Sequence, residues 1–181
     1  MKRNLLIIAA ALALFSCGKK AATAENATAD NPAGTEQDAQ VYTNDKYGFT
    51  VSLPADLKLN ENSLMGDDGA IYCTPDTKEG GMVLNRVDIT GSRHIFDEPY
   101  TQEKIKEEFE EYTSGKDGLV KKECKDFEYS YTITGDYVTE MHRCVFSGAN
   151  KADVVVCFEP DHEAQLGGEV AEKILASLKF K

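Results

Sequence analysis

Tryptophan is absent from this chain of 181 residues, and histidine occurs only at His94, His142 and His162. Histidines so scattered make no metal-binding helix, so a metal site built on them would have to be assembled by the fold. Cations are scarce too, with 20 Lys and Arg against 31 Asp and Glu and a formal net charge of −11. Phosphate contacts need clustered cations, so nucleic acid is not an expected partner. Beyond the first residues no apolar run approaches the roughly 20 residues that span a bilayer. The chain also lacks a Gly-x-Ser-x-Gly elbow, a phosphate-cradling glycine loop and a His-Glu-x-x-His zinc helix. We therefore expect no catalytic constellation, no cofactor and no metal.

The N-terminus is informative. Lys2 and Arg3 precede an unbroken apolar run, Leu5 to Phe15, and Ser16, Cys17, Gly18, Lys19 and Lys20 follow it. A charged start, a short greasy segment and a small-residue exit make a secretory signal, and the run is too short for a permanent membrane helix. Leu14, with Ser16 directly before Cys17, resembles the lipobox of bacterial lipoproteins. The resemblance implies cleavage after residue 16 and a Cys17 carrying acyl chains such as palmitate on its sulfur and its new amine. Several chains anchor stably where one binds only marginally. Loss of Lys2 and Arg3 with the signal takes the charge from −11 to −13. An acidic body is repelled by anionic headgroups, so the anchor must hold it at the membrane. Residues 17–40 are rich in Ala, Thr, Asn, Asp and Gln and lack apolar periodicity. They read as a tether with a reach of about 25 Å. With Lys19 and Lys20 rather than an acidic run after the cysteine, the domain is expected to face the periplasm, and the anchor is expected in the outer membrane.

One domain is expected over 41–181, large enough for a core of its own. Phe49, Val51 and Leu53 alternate with Thr50 and Ser52 up to Pro54, which is a strand followed by a turn. Ala70–Thr74 and Met82–Thr90 are the next extended segments, separated by Pro75 and Gly80-Gly81. Ile105, Phe109 and Tyr112 then recur at helical spacing within Gln102–Tyr112, ahead of Gly115. Glu103, Glu107, Glu108, Glu110 and Glu111 read as the solvated face of that helix.

Phe127, Tyr129, Tyr131 and Ile133 alternate up to Gly135-Asp136, and Val138, Glu140, His142, Cys144 and Phe146 descend after it. A two-residue loop at Gly135-Asp136 would set Tyr129 against His142, with Glu128 and Arg143 meeting on the other face. Asp153–Phe158 should pair with the descending strand. Gly168–Phe180, with Val170, Ile174, Leu175 and Leu178 on one stripe, reads as a closing amphipathic helix. The fold class is α+β, mostly antiparallel sheet sandwiched by helices in the order βββαβββα.

Tyr47-Gly48-Phe49, Val51 and Leu53-Pro54 at the domain start, with Ile174, Ser177 and Leu178-Lys179-Phe180 at its end, resemble PsbP-like and DcrB-like domains. The resemblance implies an antiparallel sheet between helices in an envelope lipoprotein. It carries no catalytic motif, and fold analogy does not license a function.

Cys73, Cys124, Cys144 and Cys157 make an even set in an exported domain, which suggests disulfides. A loop centred between Asn150 and Lys151 would put Cys144 opposite Cys157 and leave Cys73 with Cys124; the alternative is four buried free thiols. Glu159, Asp161 and His162 cluster before the last helix, where a capping or solvated role is expected rather than a metal. Two functional readings stand. The first is a non-catalytic envelope lipoprotein that binds a partner protein or an envelope ligand through its sheet face or loops. The second is an envelope hydrolase with a dispersed active site. A deep pocket with converging, perturbed titratable groups would favour the hydrolase.

Overall fold

The computed structural model describes residues 39–63, 65–77 and 83–181. The expected signal peptide 1–16, Cys17 and the tether up to Asp38 lie outside the described residues, as does Met82. The first strand among the described residues starts at Ala39, slightly before the expected Val41. Strand β1 (Ala39–Asn44) pairs antiparallel with β2 (Phe49–Pro54). Gln40 belongs to β1 because its side-chain amide donates to the carbonyls of Pro54 and Leu57, each at 2.8 Å. The turn between the strands passes through Gly48 at φ +79°, a left-handed conformation that favours glycine.

Among the described residues seven further strands form an antiparallel sheet of their own. They are β3 (Lys58–Leu59), β4 (Gly69–Cys73), β5 (Arg86–Arg93), β6 (Leu119–Lys125), β7 (Glu128–Thr134), β8 (Thr139–Ser147) and β9 (Asn150–Phe158), in the order β3-β4-β5-β9-β8-β7-β6. Helix α1 (Gln102–Thr113) joins β5 to β6, and α2 (Glu163–Leu166) and α3 (Gly168–Ser177) follow β9. No helix among the described residues is long and apolar enough to cross a membrane.

Period-two alternation sorts the large sheet into two faces. Val87, Ile89, Ala152, Val154 and Val156 are fully buried on one, packed against Phe49, Val51 and Leu53 of β2 and Ile174 and Leu175 of α3. Each large side chain so buried contributes roughly 1.5–3 kcal/mol. On the other face α1 seats Ile105 and Phe109 on Tyr129, Tyr131, Cys144 and Phe146. Thr101 caps this helix, its hydroxyl accepting from Lys104 N at 3.3 Å.

The closing helix stops at Ser177. Leu178 is extended, and Lys179–Phe180 forms β10 on the free edge of β2, where Phe180 meets the Phe49 ring at 6.0 Å. The Ser177 hydroxyl receives Ser52 N at 2.8 Å and donates to Ile174 O at 2.6 Å. Phe49–Pro54 from one end of the domain and Lys179–Phe180 from the other thus meet in one three-stranded sheet. The order βββαβββα is replaced among the described residues by five strands, α1, four strands, α2, α3 and β10.

The β7–β8 connection is longer than expected. Thr134 pairs with Thr139, and Gly135 N donates to Val138 O at 2.9 Å. The register moves by two residues, which preserves every face. Tyr131, not Tyr129, therefore opposes His142, and Arg143 still reaches Glu128, at 2.6 Å.

The disulfide expectation is corrected by the next turn. Ser147 pairs with Asn150 across Gly148-Ala149, so Cys144 opposes Asp153 and Cys157 opposes Glu140. Cys144 and Cys157 are thereby offset by about 13 Å along the strands. Cys73 on β4 and Cys124 on β6 stand near opposite edges of the sheet, roughly 24 Å apart at about 4.8 Å per strand. A bridge needs Cα atoms within about 7 Å. All four are free thiols.

Candidate ligand-binding site

A cavity of about 620 Å³ opens between the β1–β2 turn and the β3–β4 connection, within the range of small-ligand sites. Alternation aims Tyr42 and Asn44 of β1 and Ala70 and Tyr72 of β4 at the space between the two sheets. The Tyr42 and Tyr72 rings meet edge-on at 6.3 Å. Asn60, Glu61, Ser63 and Asp67 supply one wall, and Asp45 and Lys46 the other.

The rim is pinned from beneath. Tyr47 lays its ring across Gly91, where a Cβ would lie 2.2 Å from the ring. Its hydroxyl donates to Asp68 at 2.6 Å, and Lys46 reaches the same carboxylate oxygen at 2.6 Å. Lys46, then Tyr47, hold the Asp68 carboxyl below its usual range. Burial raises the pKa of Tyr42 and Tyr72, so both phenols stay protonated.

A second group of titratable side chains lies on the opposite face of the large sheet, beside α1. Glu108 is half-buried, which corrects its expected place on the solvated helix face. It takes hydrogen bonds from Lys151 at 2.5 Å and Tyr129 at 2.7 Å. Glu103, Glu107, Glu110 and Glu111 are exposed as expected. Burial opposes charge on Lys151, but the hydrogen-bonded Glu108 carboxylate favours it, and its pKa is raised on balance. Asp153 faces Cys144, and its Oδ1 is sealed from solvent with no hydrogen bond. Burial pushes its pKa up, as it does for Asp88, whose partner Arg86 binds both oxygens at 3.0 and 2.9 Å. Burial pushes the Cys157 thiol up to about 12 and raises Cys73, Cys124 and Cys144 as well, so none is an activated nucleophile.

The three histidines stay apart. His142 stacks on Tyr131 at 4.2 Å, His94 lies edge-on to Tyr100 at 5.5 Å, and His162 Nε2 is 2.7 Å from Asp76. Glu159 occupies the N-cap position of the single turn Pro160–His162, as expected, but its side chain caps no backbone N–H there. Its backbone N donates to Asn85 Oδ1 and its carboxylate accepts from Asn85 Nδ2, both at 2.8 Å, tying the end of β9 to the entry of β5. Among the described residues no group of three or more His, Cys, Asp or Glu could hold a metal ion.

Sequence reasoning missed the cavity because half of it comes from β1 and from residues 60–68, neither of which it assigned to an element. The spacing of Tyr42 and Asn44 at period two, in a short polar strand before Phe49, was the available signal.

No protein-family model and no curated protein sequence matches the chain. Solved structures do share its fold. The cyanobacterial PsbP protein CyanoP from Synechocystis sp. PCC 6803 superposes with a TM-score of 0.54 over 84% of this chain and 98% of that one, at 11% identity. A protein from Bacteroides thetaiotaomicron VPI-5482 gives a TM-score of 0.50 at 18% identity, covering 80% of this chain and 49% of that one. The present chain therefore spans about half its length. The Ran-binding protein Mog1p of Saccharomyces cerevisiae gives a TM-score of 0.48 at 8% identity, over 80% and 96%. The domain is PsbP-like in fold, with mixed α and β structure and antiparallel sheets. At such identities the likeness is one of fold alone.

Proposed function

We propose that the chain is a lipid-anchored, non-catalytic binding protein of the bacterial envelope. In this reading Cys17 carries the acyl chains, residues 17–40 tether the domain on the periplasmic side of the outer membrane, and the cavity between Tyr42 and Tyr72 receives a ligand or a segment of a partner protein. The cavity carries the proposal: it is lined by phenols, amides, hydroxyls and carboxylates from four chain segments, the mixture that fixes a ligand's orientation. Its placement adds support. The buried carboxyls with raised pKa, Asp88 and Asp153, sit on the other face of the sheet and do not line the cavity.

Two measurements test it. Mass spectrometry of the mature N-terminal peptide should find acylated Cys17, and Cys17→Ala should move the protein from the membrane to the soluble fraction. A photo-crosslinking residue placed at Tyr42 in intact cells should capture a specific envelope component that the same residue at Tyr137, exposed in the β7–β8 loop, does not. An unmodified mature chain that starts elsewhere would end the anchoring proposal, and identical capture patterns at both positions would end the binding one.

A further inference from the structure

The hydrogen-bonding inventory of the cavity narrows its ligand, an inference that rests on reading this cavity as a binding site. Asn44 is fully committed. Its amide nitrogen donates to the Tyr42 hydroxyl at 3.1 Å and to Asp67 O at 3.2 Å, and its oxygen accepts from Tyr47 N at 3.0 Å. A phenol that accepts from Asn44 keeps its own proton to give, so Tyr42 is a set donor. Asn60 Oδ1 is held by Asn62 N at 3.1 Å, leaving the amide hydrogens to the cavity. The Tyr72 hydroxyl has no side-chain partner among the described residues. Acceptors come from the carboxylates of Glu61 and Asp67. The nearby charges are already used, Lys46 on Asp68 and Asp45 on Lys181 at 2.7 Å.

Each simple ligand class mismatches this set. An anion meets carboxylates whose charge no lysine cancels. A cation leaves the phenols and the Asn60 amide without acceptors. An apolar ligand strips water from donors and acceptors alike, at a cost of about 1–3 kcal/mol for each group left unpaired. A hydroxyl both donates and accepts, and several on one ring can meet both kinds of partner while the ring's C–H face lies on a tyrosine. We propose that the cavity between Tyr42 and Tyr72 binds a neutral saccharide, whose hydroxyls bridge the phenol and amide donors to the Glu61 and Asp67 carboxylates.

The experiment uses the mature acylated chain in a detergent without a sugar headgroup and follows the tyrosine ring signals by NMR. Glucose, N-acetylglucosamine, cellotriose and chitotriose are titrated in, with tetramethylammonium and acetate as charged controls. Saturable shifts at Tyr42 and Tyr72 with a sugar are expected, together with about tenfold weaker binding for Tyr42→Phe and for Asp67→Asn. The second variant alters an exposed carboxylate and does not depend on the fold surviving a change in β1. No shift with any of the four sugars, or a response to tetramethylammonium alone, overturns the saccharide assignment. The in-cell crosslink from Tyr42 is independent: specific capture without any sugar response removes this inference and leaves the binding function in place.

Discussion

On the face of the large sheet that meets β2 and α3, Val87, Ile89, Val154 and Val156 are fully buried among aliphatic neighbours. On the opposite face the same strands present Arg86, Asp88, Lys151 and Asp153, and β8 adds Glu140 and His142. The aliphatic face is roofed by the small sheet and α3, whereas α1 lies over β6 and β7 at one side of the polar face. Burial of uncharged surface stabilises directly. Charges at a half-covered surface must first recover their lost hydration, and Asp153 Oδ1 recovers none through hydrogen bonds. The larger apolar core therefore lies on one face, while the other combines the smaller cluster beneath α1 with the buried charges that make it sensitive to pH.

The sharpest test of that contrast is Phe49→Ala. Phe49 is wholly buried, with the Tyr42 ring at 6.2 Å and the Phe180 ring at 6.0 Å. Its truncation should cost about 3–5 kcal/mol in urea unfolding; a loss below about 1 kcal/mol would show that this face is not where stability resides. Next in size is Glu108→Ala, which leaves the largely buried Lys151 ammonium unpaired. We expect about 2–3 kcal/mol, with much of it restored when Lys151→Met is added. Simple additivity of the two changes would show that the pair is not coupled.

Asp153→Asn should act in the opposite direction. The folded-state pKa of Asp153 lies above its ordinary 3.8, so the folded protein holds this proton more tightly than the unfolded chain does. Its contribution is then most favourable in acid and is lost as pH rises from 3.8 through the raised value. The Asn variant should accordingly be the more stable at neutral pH, with the difference shrinking toward acid. A variant that is less stable than the parent at neutral pH would contradict this. The smallest effect is expected from reductant. With Cys73, Cys124, Cys144 and Cys157 free, reduction should leave the unfolding midpoint unchanged, and alkylation should reach Cys124 first because the other three are buried.

Much of the strand and helix content could be read from periodicity. Phe49–Leu53, the β7–β8 hairpin, β9 and α1 show clean periods of two or of helical spacing, and each occurs where the pattern places it. Strand β6 escaped because its Lys121, Lys122, Glu123 and Lys125 are exposed at the sheet edge. Charged side chains are what an edge strand carries to discourage further pairing, so the signal for a strand is weakest there. Strand β10 escaped because Leu178 and Phe180 continue the apolar stripe of α3. Only the neighbouring edge of β2 makes an extended ending preferable to another helical turn.

Local order along the chain set by itself the acidic balance and the side of the sheet on which each strand residue falls. A side chain's face depends on its own position in a two-residue repeat, and a register shift of two residues leaves it unchanged. Tertiary structure alone decided which strands are neighbours, how far Cys144 stands from Cys157, that Glu108 is drawn under α1 to Lys151, and that Tyr42 and Tyr72 meet in an open cleft. Those outcomes depend on turn lengths and on contacts between residues distant in sequence, which no short-range repeat encodes.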